Sequence, residues 1–552
     1  MSCAATRWSI SGRSIAGVTG SSPVKVSRLS PQQVRTRLLA GGEVALVDVR
    51  EQRPFADGHI LLAVHAPLSR LEFALPPLVP CRAAQVIFCD GGEGLAERAV
   101  RTAGAMGYAS LAILEGGTPA WQDAGYRLFS GLNAIGAALA ETVDLVCRPA
   151  QIAAAEVVRR RQAGESLVVL DARPWEEYRD HHIPGGIACP GGELVYRVRT
   201  LAPDPSTTVV VHCAGRSRSL YGAQSLIDAG LPNPVFALAE GTHGWSKAGL
   251  DLAHGDGPRA EGRPGADDAW ARAAARRLAR ANGVQWIDGA TLARWRGERT
   301  DRSLYLLDVR SPEEFAAGHR AGAVSAPGGQ LVECADDWIG VRGGRIVLLD
   351  DDRVRAPMAA SWLRRMGYEE VAVLDDDVEA EVAAVPGEPA EPTGPDVGAV
   401  PAIGAEALGR RDVVLLDLSS GPAFVRSHGK GALWALRARL PDLLPRLPQG
   451  RLAVMDDAGD ALAALAVAEL AELGRDDACL LHGGLASLQG AGWPIETGMQ
   501  GMLHGMDDAC FLPADMVEDP MAEAAAYLAW QSTLAQEVAE DGLLVFRLHG
   551  AA

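Results

Sequence analysis

The sequence predicts an α/β protein made of four tandem, related units, each a parallel sheet with helices on both faces. Three observations lead to this fold class. An apolar run ending in Asp occurs four times, a second apolar run follows each at a nearly constant distance, and a third short run ends in a Gly pair or its remnant. Strands and helices repeated in this order are typical of parallel sheets covered by crossover helices.

The first apolar run of each unit is short, aliphatic and followed by a polar turn. Runs of this length, rich in Val and Leu, predict strands that are buried on both faces of the sheet. The four runs end at Asp48, Asp171, Asp308 and Asp417.

The second apolar runs are QVIFC, TVVVHC, RIVLLD and RLAVMD, and they end at Cys89, Cys213, Asp350 and Asp456. These ends lie 41, 42, 42 and 39 residues after the Asp of the first run. Helices are predicted next, for example from Leu95 to Met106 and from Ser219 to Ala229. In units one, two and four the second residue of the closing pair follows 28 residues after the run's end. Because ligands of parallel sheets bind at the carboxyl ends of strands, four candidate sites follow the second runs.

These patterns divide the chain into segments. We predict a disordered leader (1–24), unit one (25–130), unit two (146–253), a linker (254–283), unit three (284–384), a Pro-rich linker (385–401), unit four (402–500) and a C-terminal tail (501–552). Gly, Pro and Arg from His254 to Asp268 predict a flexible connection. The short segment 131–150 suggests that units one and two pack as a pair. In the tail we expect a helix beginning at Asp519-Pro520 and a strand over 543–548.

Composition narrows the classes of function. The formal net charge of −18 over 552 residues argues against binding to nucleic acids or anionic membranes. Nine cysteines without a CxxC pair indicate free thiols in a reducing compartment rather than disulfides or a structural zinc site. No apolar stretch reaches the roughly 18 residues of a membrane helix. We therefore expect a cytoplasmic protein without a metal or other cofactor.

The loop after the second run of unit two carries the chemistry. Cys213 ends a predicted buried strand, and a helix begins near Ser219. Backbone N–H groups at such a helix start bind anions, and together with Arg216 and Arg218 they are expected to favour the thiolate. Settings of this kind lower a cysteine pKa from about 8.5 to between roughly 3.5 and 7.5.

The residues of unit two resemble the rhodanese (thiosulfate sulfurtransferase) family. The resemblance rests on Cys213-Ala-Gly-Arg-Ser-Arg218, with Asp171-Ala-Arg173, His182-Ile-Pro-Gly-Gly186, Glu240-Gly241 and Trp245 as further matches. The loop from Cys213 to Arg218 is shorter than in the related phosphatases, which favours sulfur over phosphoryl chemistry.

The resemblance implies that Cys213 takes the outer sulfur of thiosulfate or a similar anionic donor and passes it, as a persulfide, to a thiol or cyanide. Backbone amides of the loop would stabilise the persulfide, Arg216 and Arg218 would bind the donor, and Asp171 and Arg173 would support the loop. The loop residues assigned to the substrate site are Ala214, Gly215, Arg216, Ser217, Arg218 and Ser219.

The other three loops depart from this pattern. Cys89 of unit one is correctly placed, but Gly94 replaces the second arginine and Asp90 and Glu93 add negative charge. Cys89 is therefore interpreted as structural, with a second sulfur-carrying site as the alternative. Asp350 and Asp456 cannot form a persulfide. The acidic runs 350–352 and 375–377 are interpreted as solvated loops rather than metal sites.

Two classes of function stay open at this point. The first is a sulfurtransferase with one active site. The second is a scaffold whose degenerate units bind a sulfur-metabolism partner, or a carrier that passes sulfur from Cys213 to an acceptor protein.

Overall fold

The computed structural model describes residues 26–261, 268–375, 398–409, 413–457, 459–510 and 519–548. The predicted leader, most of the Pro-rich linker and the run 376–377 lie outside these residues.

Unit one alternates strands and helices, as the sequence predicts. Its elements are β1 (Ser27–Leu29), α1 (Pro31–Leu39), β2 (Val44–Asp48), α2 (Gln52–Asp57), β3 (Ala63–His65), α3 (Leu71–Leu78), β4 (Gln85–Cys89), α4 (Leu95–Ala105), β5 (Ser110–Leu114) and α5 (Gly117–Asp123). A further helix, α6 (Ala134–Val146), leads to unit two.

Unit two repeats the order of unit one. Its elements are β6 (Gln151–Ile152), α7 (Ala154–Gln162), β7 (Leu167–Asp171), α8 (Trp175–Asp180), β8 (Ile187–Ala188), α9 (Leu194–Leu201), β9 (Thr208–His212), α10 (Ser217–Ala229), β10 (Val235–Leu238) and α11 (Gly241–Lys247).

Unit three follows a helix, α12 (Asp268–Ala281). Its elements are β11 (Gln285–Ile287), α13 (Gly289–Gly297), β12 (Leu304–Asp308), α14 (Pro312–Ala317), β13 (Val324–Ser325), α15 (Gly328–Glu333), β14 (Arg345–Leu349), α16 (Arg355–Arg365) and β15 (Val371–Leu374).

Unit four and the tail complete the chain. Their elements are β16 (Ala402–Ile403), β17 (Val413–Asp417), α17 (Gly421–Arg426), β18 (His428–Gly429), β19 (Leu433–Trp434), α18 (Leu440–Leu443), β20 (Arg451–Met455), α19 (Asp460–Glu472), β21 (Ala478–Leu481), α20 (Gly484–Gly490), β22 (Ile495–Glu496) and α21 (Pro520–Asp541).

The four large sheets share one topology. Their strand orders are β1-β5-β4-β2-β3, β6-β10-β9-β7-β8, β11-β15-β14-β12-β13 and β16-β21-β20-β17-β19. All of their neighbouring strands are parallel. The second apolar run is the central strand of each sheet, and all of its residues except the first in units one, three and four are buried. Its apolar composition fits a strand covered on both faces. The predicted fold class is confirmed.

The units associate in pairs. The contacts lie in the segments that directly follow the edge strands β3, β8, β13 and β19. In units two and three, paired glycines approach so closely that a Cβ on Gly192 would lie 2.8 Å from the backbone N of Gly329. In units one and four, both Nη atoms of Arg437 bind the Glu72 carboxylate at 2.8 and 2.6 Å. The expectation that units one and two form the pair is therefore wrong, since these faces join two with three and one with four.

The buried core is divided differently from these two pairs. One continuous cluster of buried apolar side chains extends through units one, two and three and includes Leu534 and Val538 of α21. Unit four has clusters of its own. The tail helix is thus part of the body formed by the first three units.

Two expectations about the connecting segments need correction. Residues 254–261 run along unit two, with the backbone N–H of Gly255 donating to Arg179 and that of Ala260 to Ala188, and 268–281 form α12. The described part of this linker is therefore packed against unit two and is not the flexible connection that the sequence predicts.

Residues 543–548 of the tail form no strand, contrary to prediction. The backbone N–H of Arg547 donates to the carbonyl of Arg365 in unit three instead. The tail helix begins at Asp519-Pro520 as predicted, with Asp519 accepting from Met521 and Ala522. No helix in the described residues is long and apolar enough to cross a membrane.

Candidate active site

Cys213 lies at the carboxyl end of β9, the central strand of unit two. The loop 213–216 connects this strand to α10, whose first N–H groups have no partner within the helix. The side-chain hydroxyl of Ser219 donates to Cys213 Sγ at 3.1 Å, and the Ser219 backbone N–H donates to the same sulfur. The helix start therefore provides hydrogen-bond donors to the sulfur, as the sequence predicts for an anion site.

The segment that follows β10, residues 241–243, contacts the Cys213 loop through its backbone. The backbone N–H of Thr242 donates to the carbonyl of Cys213 at 2.9 Å, and that of His243 to Ala214 at 3.1 Å. Gly241 has φ +54°, and a Cβ there would lie 2.2 Å from the carbonyl oxygen of Cys213. Only glycine fits this position, which explains the constant spacing between the loop and the Gly pair.

Arg218 is held by two units. Its Nη1 and Nη2 atoms bind the Glu177 carboxylate of α8 at 2.7 and 2.8 Å. From α15 of unit three, Glu333 Oε2 lies 3.1 Å from Nε and Gln330 Oε1 lies 3.3 Å from Nη1. The Arg218 side chain is only 6% exposed. Arg218 lies beside the loop, as predicted, but two carboxylates already pair with its guanidinium group.

Arg216 does not take the expected role. Its guanidinium binds Glu141 at 3.0 Å and Asp144 at 2.7 Å, both on α6. These ion pairs engage the side chain that was expected to hold an anionic donor. The repeated pattern gives no indication of these ion pairs, because α6 lies outside it.

The thiol of Cys213 also differs from expectation. Burial raises its pKa above the ordinary value, and Glu333 adds to this effect, whereas Arg218 and the hydrogen bonds from Ser219 act against it. Cys213 is 2% exposed. The expectation of a lowered pKa is therefore wrong for this structure, since desolvation outweighs the helix start and the single nearby arginine.

The helix α21 covers the loop, which no sequence pattern indicated. The Gln531 side-chain amide donates to the hydroxyl of Ser217 at 2.9 Å. Tyr527 and Leu528 lie over Gly215, where a Cβ would be 3.7 and 3.5 Å from them. Burial raises the pKa of Tyr527, and both Glu333 and Cys213 contribute. A residue 314 positions away in the chain thus contacts the active loop.

The residues expected to support the loop form a buried ion pair. Arg173 binds Asp171 at 2.7 and 2.9 Å. The same pair recurs as Arg50 with Asp48 and as Arg310 with Asp308, in units with different loops. The pair is therefore a feature of the repeat and not of the reactive cysteine alone.

His212 precedes the cysteine and is completely buried. Burial lowers its pKa to about 4, and its Nε2 atom lies 3.5 Å from Asp171 Oδ2. Adjacent residues of a strand point to opposite faces, so this ring is not placed as a base for Cys213.

In unit one, the side chain of a loop residue, Asp90, occupies the backbone N–H groups that could bind an anion. The Asp90 carboxylate accepts hydrogen bonds from the backbone N–H groups of Gly92, Gly94 and Ala96 at 2.9, 3.1 and 3.0 Å. Burial raises the pKa of Cys89 well above its ordinary value, and Asp48 and Asp90 add to this. Arg98, one turn into α4, binds the Ala438 carbonyl and the Glu469 carboxylate of unit four instead of the loop.

Unit three shows the same arrangement with different residues. Asp350, at the position of the cysteine, accepts from the N–H of Ala356 at 2.9 Å. Asp352 accepts from Val354 and Arg355 at 2.7 and 3.0 Å. Both carboxylates are buried, so the interpretation of this run as a solvated loop is wrong. In unit four, Asp456 binds Arg70 of unit one at 3.2 Å.

Comparisons with known proteins agree with this architecture. A family model described as the rhodanese-like domain matches residues 30–124, 153–248 and 291–383, just over half of the chain. A thiosulfate sulfurtransferase of Pseudomonas aeruginosa, known from a crystal structure, is 40% identical with a TM-score of 0.90; the match covers 95% of this chain and 99% of that one.

Two further matches are partial. A helix-turn-helix transcriptional regulator of Mycobacterium tuberculosis is 36% identical over 104 residues, which are 19% of this chain and 45% of that protein; the chain thus spans less than half of this curated relative. A protein of Lactobacillus plantarum is 30% identical over 19% of this chain and 87% of its own, with a TM-score of 0.17. From the three matched domains and the full-length relative, the chain belongs to the rhodanese-like family.

Proposed function

We propose that the protein is a sulfurtransferase whose single nucleophile is Cys213. The observation that carries the proposal is the contrast between loops. Cys213 has hydrogen-bond donors from the start of α10. Its loop has no acidic residue, whereas units one and three fill theirs with carboxylates. The full-length relative, a thiosulfate sulfurtransferase, supports the same class of reaction.

In the proposed reaction the thiolate of Cys213 attacks the outer sulfur of thiosulfate. The S–S bond of the donor breaks, sulfite leaves with the bonding electron pair, and Cys213 becomes a persulfide. Cyanide or a thiolate then attacks the outer sulfur, which regenerates the thiolate. The proton of the resting thiol goes to water or buffer before the first step.

The residues around Cys213 have distinct proposed roles. The N–H groups of the loop, with both donors of Ser219, stabilise the thiolate and the terminal persulfide sulfur. Arg218 stabilises the sulfonate of the donor, and Asp171 with Arg173 keeps the loop in place. Arg216 is left out of this assignment because Glu141 and Asp144 hold it. Cys89 is assigned a structural role.

A second function has one specific observation in its favour. Cys213 is closed off by α21, which suits a carrier that transfers sulfur to a dedicated acceptor protein more than an enzyme open to small molecules. The cytoplasm, whose thiols supply acceptors, is the compartment proposed for either function.

Thiocyanate and sulfite formation from thiosulfate and cyanide tests the first function. We expect Cys213→Ser to abolish both products and the matched control Cys89→Ser to retain wild-type rates. If the wild-type protein forms neither product, and mercaptopyruvate with thiol acceptors also fails, the general sulfurtransferase function is wrong and the carrier function gains support.

A further inference from the structure

A tyrosine of the tail helix lies over the active loop, and its hydroxyl has no partner there. Tyr527 of α21 lies beside Gly215, where a Cβ would be 3.7 Å from the Tyr527 Cε1 atom. Among the residues that the structure describes, no group forms a hydrogen bond with this hydroxyl. The ring is partly buried and the hydroxyl oxygen is not enclosed, so a bound molecule can reach it.

Other tyrosines of the protein use their hydroxyls within the fold, as buried tyrosines normally do. Four of them donate to backbone carbonyls: Tyr108 to Val79, Tyr178 to Gly186, Tyr221 to Gly136 and Tyr305 to Leu78. Tyr527 differs from these four because its hydroxyl does not stabilise the fold through such a bond.

Two neighbours in α21 fix the position of the Tyr527 ring. Gln531 lies one turn later on the same face of the helix and donates to the hydroxyl of Ser217 at 2.9 Å. The Trp530 ring lies 5.3 Å from the Tyr527 ring, between centroids, and its indole N–H donates to the carbonyl of Ser130 at 3.1 Å. The phenol is thus held near the loop by contacts in which its hydroxyl takes no part.

The phenol belongs to the electrostatic surroundings of Cys213. Burial raises the pKa of Tyr527, Glu333 and Cys213 add to this effect, and Arg218 acts against it. The phenol therefore stays protonated at neutral pH and donates a hydrogen bond without adding charge. A second buried donor lies nearby, because the Nε–H of Arg218 forms no hydrogen bond although Glu333 Oε2 is 3.1 Å away.

The proposed reaction needs hydrogen-bond donors in two places. Ser219 and the start of α10 supply them at the Cys213 sulfur. The sulfonate of thiosulfate lies beyond the outer sulfur, because sulfite leaves in line with the attacking thiolate. Arg216 does not serve the sulfonate, since it binds α6. A neutral donor on the side of the loop that α21 covers supplies the missing contact.

We propose that Tyr527 is a substrate-binding residue whose hydroxyl donates a hydrogen bond to a sulfonate oxygen of the sulfur donor at Cys213. The proposal rests on the function proposed above and adds a residue from outside the four units to its site. In the loading step the thiolate takes the outer sulfur, the S–S bond breaks and sulfite leaves with the electron pair, while Tyr527 keeps its proton. The contact ends when sulfite leaves, so removal of the sulfur by cyanide does not use Tyr527.

Tyr527→Phe is the direct test, because it removes the hydroxyl and keeps the ring. In single-turnover experiments the second-order rate constant for sulfite release from thiosulfate should fall roughly 10- to 100-fold, the effect of losing one hydrogen bond to a charged group. Removal of sulfur by cyanide from loaded protein, and alkylation of Cys213 by neutral iodoacetamide, should stay within about twofold of wild type. If Tyr527 only positioned α21, all three rates would change together.

The matched control is Ser532→Ala on the exposed face of the same helix, whose hydroxyl donates to the carbonyl of Ala529. It should leave sulfite release unchanged. Because the Tyr527 hydroxyl has no partner among the described residues, Tyr527→Phe should also unfold at the wild-type urea concentration.

Three results would overturn the proposal: an unchanged rate of sulfite release in Tyr527→Phe, an equal slowing of iodoacetamide alkylation, or a lower urea midpoint. Failure of the proposed function gives a different result. In that case wild-type protein would take up no sulfur from thiosulfate or from methanethiosulfonate, a monoanionic thiosulfonate.

Discussion

Units one and two place a cysteine at the same point of the same sheet, with the same strand before it and the same helix after it. Their loops nevertheless differ in what occupies the backbone N–H groups. In unit one Asp90 takes three of them, whereas in unit two Ala214 stands at that position and Ser219 donates to the sulfur. Unit three, with Asp350, resembles unit one in this respect. An anion-binding loop can therefore bind an external anion only while its own side chains leave the backbone N–H groups available.

The largest expected effect concerns the two equivalent arginines. Arg355→Met leaves the buried carboxylates of Asp352 and Glu193 unpaired, and breaking such a pair costs about 3–5 kcal/mol in the free energy of unfolding. Arg218→Met should cost less, because Glu177 and Glu333 are 21% and 18% exposed. Arg355 is completely buried among Asp352, Glu314 and Glu193. Both variants should unfold at lower urea concentration, but only Arg218→Met should lower sulfur transfer in the protein that remains folded. Arg294→Met, at an exposed pair, is the control.

The second prediction transfers the feature of unit one to unit two. Ala214→Asp places a carboxylate where Asp90 lies, so that it takes the loop donors and disfavours the thiolate. We expect thiocyanate formation to fall by about 10² to 10³, the range for losing a donor to a developing anion. Ala214→Ser is the neutral control. Retained activity in a folded Ala214→Asp protein would show that the donors are not used.

The third prediction concerns pH. Because burial raises the pKa of Cys213, the thiol is protonated at neutral pH, and its thiolate fraction grows about tenfold per pH unit below the pKa. The alkylation rate of Cys213, followed by mass spectrometry of its peptide, should still be rising at pH 9. A plateau already reached near pH 7 would contradict the raised pKa.

The smallest effect is expected from the reverse exchange in unit one. Asp90→Ala removes a carboxylate that raises the pKa of Cys89 and frees the N–H groups of the loop. The apparent pKa of Cys89 should fall by about one unit, as judged from its alkylation. Glu97→Gln, on the exposed side of α4, serves as the control. An unchanged apparent pKa of Cys89 would mean that desolvation, and not the Asp90 carboxylate, determines the protonation of the thiol.

The sequence predicts the parts of the site that depend on neighbouring residues and constant spacings. Apolar runs ending at Asp171 and Cys213, with constant spacing to Gly241, predict strands, loop and closing segment because burial and close approach restrict those residue types. The position of Cys213 and the pair formed by Asp171 and Arg173 follow from the same regularities.

The rest depends on contacts between distant segments. Glu333 meets Arg218 only because units two and three pack face to face, and Gln531 meets Ser217 only because α21 returns to the loop. The direction of Arg216 depends on carboxylates of α6, which no spacing rule includes. The raised pKa of Cys213 follows from this enclosure, which the loop sequence by itself does not contain.

We propose that sulfur passes through Cys213 and through no other cysteine. The most direct test of this proposal is mass spectrometry of peptides from protein treated with thiosulfate or methanethiosulfonate, in the absence of acceptor, and then alkylated. We expect one added sulfur atom on the peptide containing Cys213, absent when cyanide is added before alkylation, and none on the peptide containing Cys89. Added sulfur on Cys89, or none on Cys213 with either donor, would contradict it.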